Sequence, residues 1–269
     1  MNINIRFCNH FLARTEGLTD EKTIQQRAEV RFLRALYSWY LLDMFNLIPF
    51  NEKESSELPK FKTRPQMYEW LVQDLESLIN DLPEKRINQY RVDKYAAWLL
   101  LARVYLNAEV YAGKEMWAEA KATCEKIYGL GYALAPTHAE LFRGDNGENA
   151  DAKKEMLFAA SYDAENNQSY GGTTYLTLST LSGDDGAVNI TGINGGWAGN
   201  RVPYEYVAKW FEDVKNPDYA EGTYEYKDAR AGYFYIKGRS ESMENNLNTF
   251  LNGWSCIQFN NAPHDVDPV

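Results

Sequence analysis

Aromatic side chains in a glycine-rich segment are the residues of this sequence whose type and position could carry out recognition chemistry. Residues 166–199 are dominated by Gly, Asn, Ser and Thr, and Tyr170, Tyr175 and Trp197 stand among them. This composition has low helix propensity and abundant turn chemistry, so the rings are not where an aromatic residue of a helical core is expected. A ring in such a loop can stack on the apolar face of a ligand.

Polar side chains beside Trp197 complete the candidate site. Asn194, Asn200 and Arg201 stand beside Trp197, and their amide and guanidinium groups can hydrogen-bond hydroxyl groups. A stacking ring flanked by such groups suits a neutral carbohydrate, so we predict that Trp197 stacks on a sugar that Asn194 and Arg201 hydrogen-bond. Tyr170 or Tyr175 is expected to supply a second ring. The alternative, that Trp197 anchors its loop on the helical part of the protein, stays open at this point.

The sequence also bears on catalysis. The chain has no GxSxG, HExxH or P-loop motif, and "GINGGWAG" is not the GxGxxG of a dinucleotide site. Two of the 38 acidic residues could form the carboxyl pair of a glycoside hydrolase, but the sequence selects no pair. We therefore predict no catalytic residue and no cofactor, and a carbohydrate-active enzyme remains a rival hypothesis.

Metal ligands are sparse. The three cysteines are far apart without a CxxC pair, and the three histidines form no recognisable zinc pattern. The segment "DNGENAD", with Asp145, Gly147, Asn149 and Asp151, alternates oxygen ligands but lacks the glycine and the closing glutamate of an EF-hand loop. We expect a solvated turn there and no metal site. Cys124 is expected to be a small buried hydrophobic residue on a helix.

The charge balance bears on partners. The formal net charge of −10 over 269 residues, without a block of Lys and Arg, argues against a nucleic acid or an anionic membrane as the main partner. No apolar run is long enough to span a bilayer, and residues 1–25 show no signal-peptide pattern.

Helices are predicted for most of residues 1–131, which form the expected scaffold. Local start and stop signals place them at Asp20–Asn46, from Pro65 to Leu82, from Asp93 to Gly113, and over 115–131. The first of these is apolar on nearly every side, which indicates that neighbours cover it on several sides. The last two match a tetratricopeptide-like hairpin at five positions: Leu101, Ala102, Tyr105, Ala120 and Cys124.

Residues 132–269 are predicted to be a loop-rich portion that carries the ligand site. "GYALAP" and "EMLFAASYD" are typical of short strands, and a further helix is expected from Pro203. The predicted fold class is therefore mainly α, with tetratricopeptide-like helical hairpins packed on an irregular loop-rich portion with a few short strands.

Two long segments resemble one protein family. "AEVRFLRALYSWYLLDMFNLIPF" (28–50) and "YRVDKYAAWLLLARVYLNAEVYAG" (90–113) are similar to helices of the SusD/RagB family of outer-membrane nutrient-binding lipoproteins of Bacteroidetes. "ENADAKKEMLFAASYD" (148–163) resembles a strand segment of that family, in the same order along the chain. Asn46 departs from the family, which often has Gly at this position.

The resemblance implies a single SusD-like domain over 1–269 that is only partial. It also implies a cell-surface protein of the outer membrane that binds an oligosaccharide and works with a SusC-type TonB-dependent transporter. The lipid anchor and the first helices of the family are expected to precede this chain. The family supplies no motif for Trp197, because its sugar-contacting residues vary between members. The alternative function is a helical-repeat scaffold for protein interaction that binds no sugar.

Overall fold

The structure is a computed structural model. It describes residues 1–84, 86–128, 131–162, 166, 170–181, 191–193, 195–197, 199–203, 206–207, 228–235, 252–259 and 261. The chain divides into two compact units, the first formed by 1–133 with 156–160 and the second by 134–155 with 161–269. The predicted fold class, mainly helical with a few short strands, is confirmed. That the chain forms one partial domain, with a helical scaffold up to about residue 131 and a loop-rich portion after it, stays a prediction.

The first unit consists of helices and one β-hairpin. Its elements are α1 (Asn2–Arg14), α2 (Glu21–Met44), β1 (Leu47–Phe50), β2 (Lys60–Thr63), α3 (Arg64–Leu78), α4 (Lys94–Leu106), α5 (Ala108–Ala112) and α6 (Trp117–Glu125). The helix α1 had not been predicted as a separate element. No helix in the described ranges combines the length and the apolar character needed to cross a membrane.

The helix α2 occupies the centre of this unit. It begins as predicted, because the side chain of Asp20 accepts a hydrogen bond from the Thr23 backbone N–H at 2.9 Å. It packs against α1 and α3, and it contributes Phe32 and Leu42 to the buried core. Its apolar residues therefore face several neighbours, which accounts for their distribution around the helix.

A short hairpin follows α2 where the sequence predicted only a polar loop. β1 pairs antiparallel with β2, so that Leu47 lies opposite Thr63 and Phe50 lies opposite Lys60. Ile48 and Phe50 point into the core, as alternation along a strand requires. Strands of four residues carry too little periodicity to be distinguished from the end of a helix, which explains the error.

The helices α4 and α6 form the predicted hairpin with altered ends. Asp93 caps α4, accepting from the Ala96 N–H at 2.9 Å, and the predicted helix to Gly113 breaks at Asn107 into α4 and α5. α6 ends at Glu125 and does not continue to residue 131. A groove of about 390 Å³ runs between the two helices, and its lining includes Leu99, Leu106, Trp117 and Cys124. Cys124 is therefore partly exposed at a groove, not fully buried as expected.

A buried ionic cluster joins α1, α2 and α3. Arg31 Nη2 donates to Asp74 Oδ1 at 2.6 Å, and Arg34 Nη2 donates to Asp74 Oδ2 at 3.2 Å. Arg34 Nη1 also donates to Asn9 Oδ1 at 3.0 Å and to the Glu52 carbonyl at 2.9 Å. The side chains of Arg34 and Asp74 are only 7% and 8% exposed, so each charge depends on the other for compensation.

The second unit has short elements connected by irregular segments. They are a 3₁₀ turn (His138–Phe142), α7 (Ala150–Glu155), α8 (Gly172–Leu178), a second 3₁₀ turn (Ala229–Tyr233), and the strand pair β3 (Phe234–Tyr235) and β4 (Ser255–Cys256). Trp254 is fully buried, and its backbone pairs with Val202. The Thr180 hydroxyl donates to the Cys256 carbonyl at 2.6 Å, and the Ser255 hydroxyl donates to the Thr180 carbonyl at 2.8 Å, so these bonds tie the end of α8 to β4.

Two local predictions for the loop-rich portion were wrong, and a third lies mostly outside the described residues. Neither "GYALAP" nor "EMLFAASYD" forms a strand over its described residues. Residues 156–160 instead belong to the first unit, where Phe158 meets Phe32 edge to face at 5.5 Å between ring centroids. The helix expected from Pro203 lies mostly outside the described residues.

Replacing Asp74 by Asn tests the buried cluster. The change leaves Arg34 buried without a counter-charge, so we expect Asp74→Asn to lower the free energy of unfolding by about 3–5 kcal/mol. The measurement is urea unfolding of the purified chain. Glu69→Gln is the matched control, because Glu69 pairs with Lys114 at 3.0 Å on an exposed surface. That change should cost no more than about 1 kcal/mol, and equal losses in the two variants would contradict the assignment.

Tyr111 predicts a dependence of stability on alkaline pH. Its hydroxyl donates to Asp43 Oδ1 at 2.8 Å, and burial together with this carboxylate raises the pKa of Tyr111 from 10 to about 12. The neutral phenol is therefore favoured in the folded state, and its contribution to stability is complete below the unfolded pKa of 10 and is lost as the pH rises towards 12.

We expect Tyr111→Phe to lower the free energy of unfolding by about 1 kcal/mol at neutral pH. The variant should then lose less stability than the parent between neutral pH and about pH 11. Urea midpoints at the two pH values measure both effects, and the other tyrosines are common to the two proteins. Parallel declines in the parent and the variant would show that Tyr111 does not titrate as described.

Candidate functional site

Three aromatic rings of the second unit lie together, and we call Tyr170, Tyr175 and Trp197 the aromatic cluster. The ring centroid of Trp197 is 6.4 Å from that of Tyr170 and 6.2 Å from that of Tyr175, with interplanar angles of 49° and 53°. Tyr170 is 86% exposed, Tyr175 44% and Trp197 43%. The structure thus brings together the three rings that the sequence analysis named, and each keeps surface available to a ligand.

The helix α8 positions one side of the cluster. It begins at Gly172, which has φ +59°, and a Cβ at this position would overlap the ring of Tyr162. Only glycine combines that backbone conformation with so close an approach. The helix then carries Tyr175 beside Trp197. The sequence analysis assigned low helix propensity to this segment, so the helix is a correction to it.

The loop that carries Trp197 is held by the end of α8. The Trp197 N–H donates to the Leu178 carbonyl at 2.9 Å, and the Asn200 N–H donates to the Ser179 carbonyl at 2.8 Å. The last carbonyls of a helix lack partners within the helix, so the loop satisfies groups that otherwise need water. These two bonds fix the loop relative to the helix that bears Tyr175.

Asn200 makes a contact to the cluster that had not been predicted. Its Nδ2 donates to the hydroxyl oxygen of Tyr175 at 2.6 Å. The only available signal in the sequence was the position of Asn200, three residues after Trp197 in the same loop. Its partner could not be identified before α8 was known.

The two polar residues that were predicted to bind a sugar have different outcomes. Arg201 is partly buried, and its Nη1 donates to the Asn252 carbonyl at 3.2 Å, next to the segment that carries Trp254. The guanidinium therefore has a structural role, and its bond to a ligand stays a prediction. Asn194 lies outside the described residues.

The exposure of the tryptophans bears on the alternative that Trp197 is a structural anchor. Trp254 is 0% exposed and fills the interior of the second unit, whereas Trp197 keeps nearly half of its surface accessible. A residue that serves only to anchor a loop is expected to bury its ring. The exposed part of the Trp197 ring, beside two other exposed rings, is therefore accessible to a ligand.

The segment that resembled a calcium loop uses its oxygens locally. Asn149 Oδ1 accepts from the backbone N–H groups of Asp151 and Ala152 at 2.8 and 3.1 Å, and Asp151 pairs with Lys154 at 2.6 Å. These contacts cap and support α7. Over the ranges that the structure describes, no group of three or more His, Cys, Asp or Glu side chains could hold a metal ion.

Comparisons with known proteins were made for the sequence and for the structure. No protein-family model matches the sequence. The chain is 39% identical over 209 residues to the starch-binding protein SusD of Bacteroides thetaiotaomicron. The match covers 77% of this chain but 37% of that relative, so the chain spans well under half of its length.

Solved structures with the same fold are SusD-like proteins. A SusD superfamily protein from Parabacteroides distasonis matches with a TM-score of 0.65 and 22% identity, over 95% of this chain and 53% of the other. A SusD-like carbohydrate-binding protein from Bacteroides fragilis gives 0.63 and 22%, over 86% and 44%. Surface glycan-binding protein A from Bacteroides thetaiotaomicron, in complex with laminarihexaose, gives 0.60 and 21%, over 78% and 45%. These structures show a shared fold, and the 39% sequence identity to SusD shows that the chain belongs to the SusD-like family.

Proposed function

We propose that this protein binds an oligosaccharide or polysaccharide on the aromatic cluster and does not change it chemically. The observation that carries the proposal is the adjacency of three half-exposed or exposed rings, with Trp197 between Tyr170 and Tyr175. Sugars present apolar C–H faces and hydroxyl edges, and rings with polar tips match both. Exposed apolar surface that is contiguous, rather than scattered as single side chains, is typical of interaction sites.

Two neutral hydrogen-bonding groups lie at the rings among the residues that the structure describes. The hydroxyl of Tyr175 and the amide of Asn200 lie at the cluster. Neutral donors and acceptors suit the hydroxyl groups of an uncharged glycan, while the net charge of −10 disfavours an anionic polymer at long range.

Two relatives support this ligand class. SusD, at 39% identity, is named a starch-binding protein, and a structural neighbour is described in complex with laminarihexaose. Starch and laminarin fragments are both polymers of neutral glucose. We extend that class, and no particular linkage, to this chain.

We further propose the cellular context that the family resemblance implies. The protein would be attached to the outer membrane by a lipid anchor and exposed at the cell surface. The helical first unit would contribute to docking on a SusC-type TonB-dependent transporter. Because this chain spans 37% of its curated relative, these assignments are proposals for the whole protein.

A helical-repeat interaction scaffold is the second candidate function. The groove between α4 and α6 favours it, because Leu106 and Trp117 are exposed there on a helical hairpin. This candidate requires no ligand at the aromatic cluster, so glycan binding separates the two.

Removing rings tests the proposed function. We expect Trp197→Ala to weaken glycan binding by roughly 10- to 100-fold, since burying a large apolar side chain is worth about 1.5–3 kcal/mol. Tyr170→Ala should weaken it less. The control is Tyr128→Ala, because Tyr128 is 79% exposed, similar to Tyr170, but belongs to the first unit.

Isothermal titration with maltohexaose, laminarihexaose and a xyloglucan oligosaccharide measures these affinities, and tryptophan fluorescence follows the same titrations. Unchanged affinity in Trp197→Ala would place the site elsewhere. New reducing ends during incubation would contradict a purely binding role. Absence of binding to the whole panel by a folded wild-type chain would favour the interaction scaffold.

A further inference from the structure

We propose that Asn200 is a positioning residue that fixes the hydroxyl of Tyr175 as a hydrogen-bond donor towards the glycan. The inference rests on the proposed function, since it concerns the same aromatic cluster. It adds the direction of one hydrogen bond and the kind of ligand atom that receives it, which is an acceptor oxygen of the sugar.

The direction follows from the contact between the two side chains. Asn200 Nδ2 lies 2.6 Å from the hydroxyl oxygen of Tyr175, and an amide nitrogen donates but does not accept. The phenolic oxygen therefore uses acceptor capacity for Asn200. Its own proton is then directed away from the amide and is available to a ligand.

A backbone hydrogen bond holds Asn200 in place before any ligand arrives, and this limits where its side-chain amide can lie. The Asn200 N–H donates to the Ser179 carbonyl, and Ser179 directly follows the helix that carries Tyr175. Donor and acceptor are thus parts of one short hydrogen-bonded assembly of helix and loop. A group oriented in advance loses less conformational freedom on binding, so this arrangement favours affinity.

The location of the hydroxyl relative to Trp197 defines what it can reach. The ring of Tyr175 is 6.2 Å from that of Trp197 and is tilted by 53°, so it flanks the surface on which a sugar would stack. A sugar stacked on Trp197 would present its edge oxygens towards this flank. The hydroxyl, ring and glycosidic oxygens of a sugar all accept hydrogen bonds. A phenol without the Asn200 contact could either donate or accept, whereas the hydroxyl of Tyr175 is left to donate.

A double-mutant cycle tests whether Asn200 acts through Tyr175. In Asn200→Asp the carboxylate can only accept, so the proton of Tyr175 turns towards it and the ligand meets an oxygen without a donor. We expect Asn200→Asp to weaken binding of maltohexaose or laminarihexaose by about five- to tenfold, and Tyr175→Phe to weaken it similarly. In the Tyr175→Phe background, Asn200→Asp should change affinity by less than about twofold.

The cycle separates positioning from other roles of Asn200. A purely structural role, or repulsion by the new charge, predicts the same loss in both backgrounds and would overturn the proposal. Unchanged affinity in Asn200→Asp would also overturn it, by showing that the polarity of Tyr175 is irrelevant. Melting temperatures of all four proteins are measured in parallel, and Asn200→Ser provides a second, uncharged variant if the aspartate variant does not fold.

The result also distinguishes this inference from the proposed function. If Trp197→Ala abolishes binding but Asn200→Asp does not affect it, the site is supported and the positioning role is rejected. If none of the three oligosaccharides of the panel binds the folded wild-type chain, the proposed function and the positioning role are both rejected.

Discussion

The carboxylate of Asp74 is the group on which the arrangement of the first unit depends. Arg31 and Arg34 are three residues apart on α2, hence on the same face, and both bind Asp74 of α3. Arg34 also reaches Asn9 of α1 and the carbonyl of Glu52 after β1, so one guanidinium connects four segments. Removing a partner from a buried arginine is costly, so a packing that keeps these bonds is favoured over one that breaks them. It also gives a physical role to the two arginines of the segment "RFLRA".

The second unit uses a different means to hold its candidate site. Two backbone hydrogen bonds attach the loop of Trp197 to the carbonyls of Leu178 and Ser179, and the ring of Trp254 fills the interior. Backbone bonds constrain a loop without covering its side chains, so the rings of the aromatic cluster can remain accessible. A loop held through its side chains would have buried them.

The extent to which sequence predicts this structure follows from the range of the interactions involved. The helix starts at Asp20 and Asp93 are local capping signals, and both are confirmed. The helix α8 was missed because "GTTYLTL" has weak intrinsic propensity, and its end is stabilised by a loop some twenty residues away. Likewise, the segment around Phe158 was predicted as a strand but is irregular. The ring of Phe158 packs on Phe32, and no local sequence pattern encodes this contact.

The candidate site was predictable in its rings but not in its polar contacts, and the reason is physical. An aromatic residue in a glycine-rich loop is conspicuous by composition alone, and Tyr170, Tyr175 and Trp197 do come together. Polar groups acquire a role only through a partner, so Arg201 turns to a backbone carbonyl while Asn200 meets Tyr175. Stacking on rings needs no charge, and it is therefore compatible with a strongly acidic chain whose charges maintain solubility. In the proposed site, specificity for one glycan would then come from the few directed hydrogen bonds at the edge of the rings, where Asn200 contacts the hydroxyl of Tyr175.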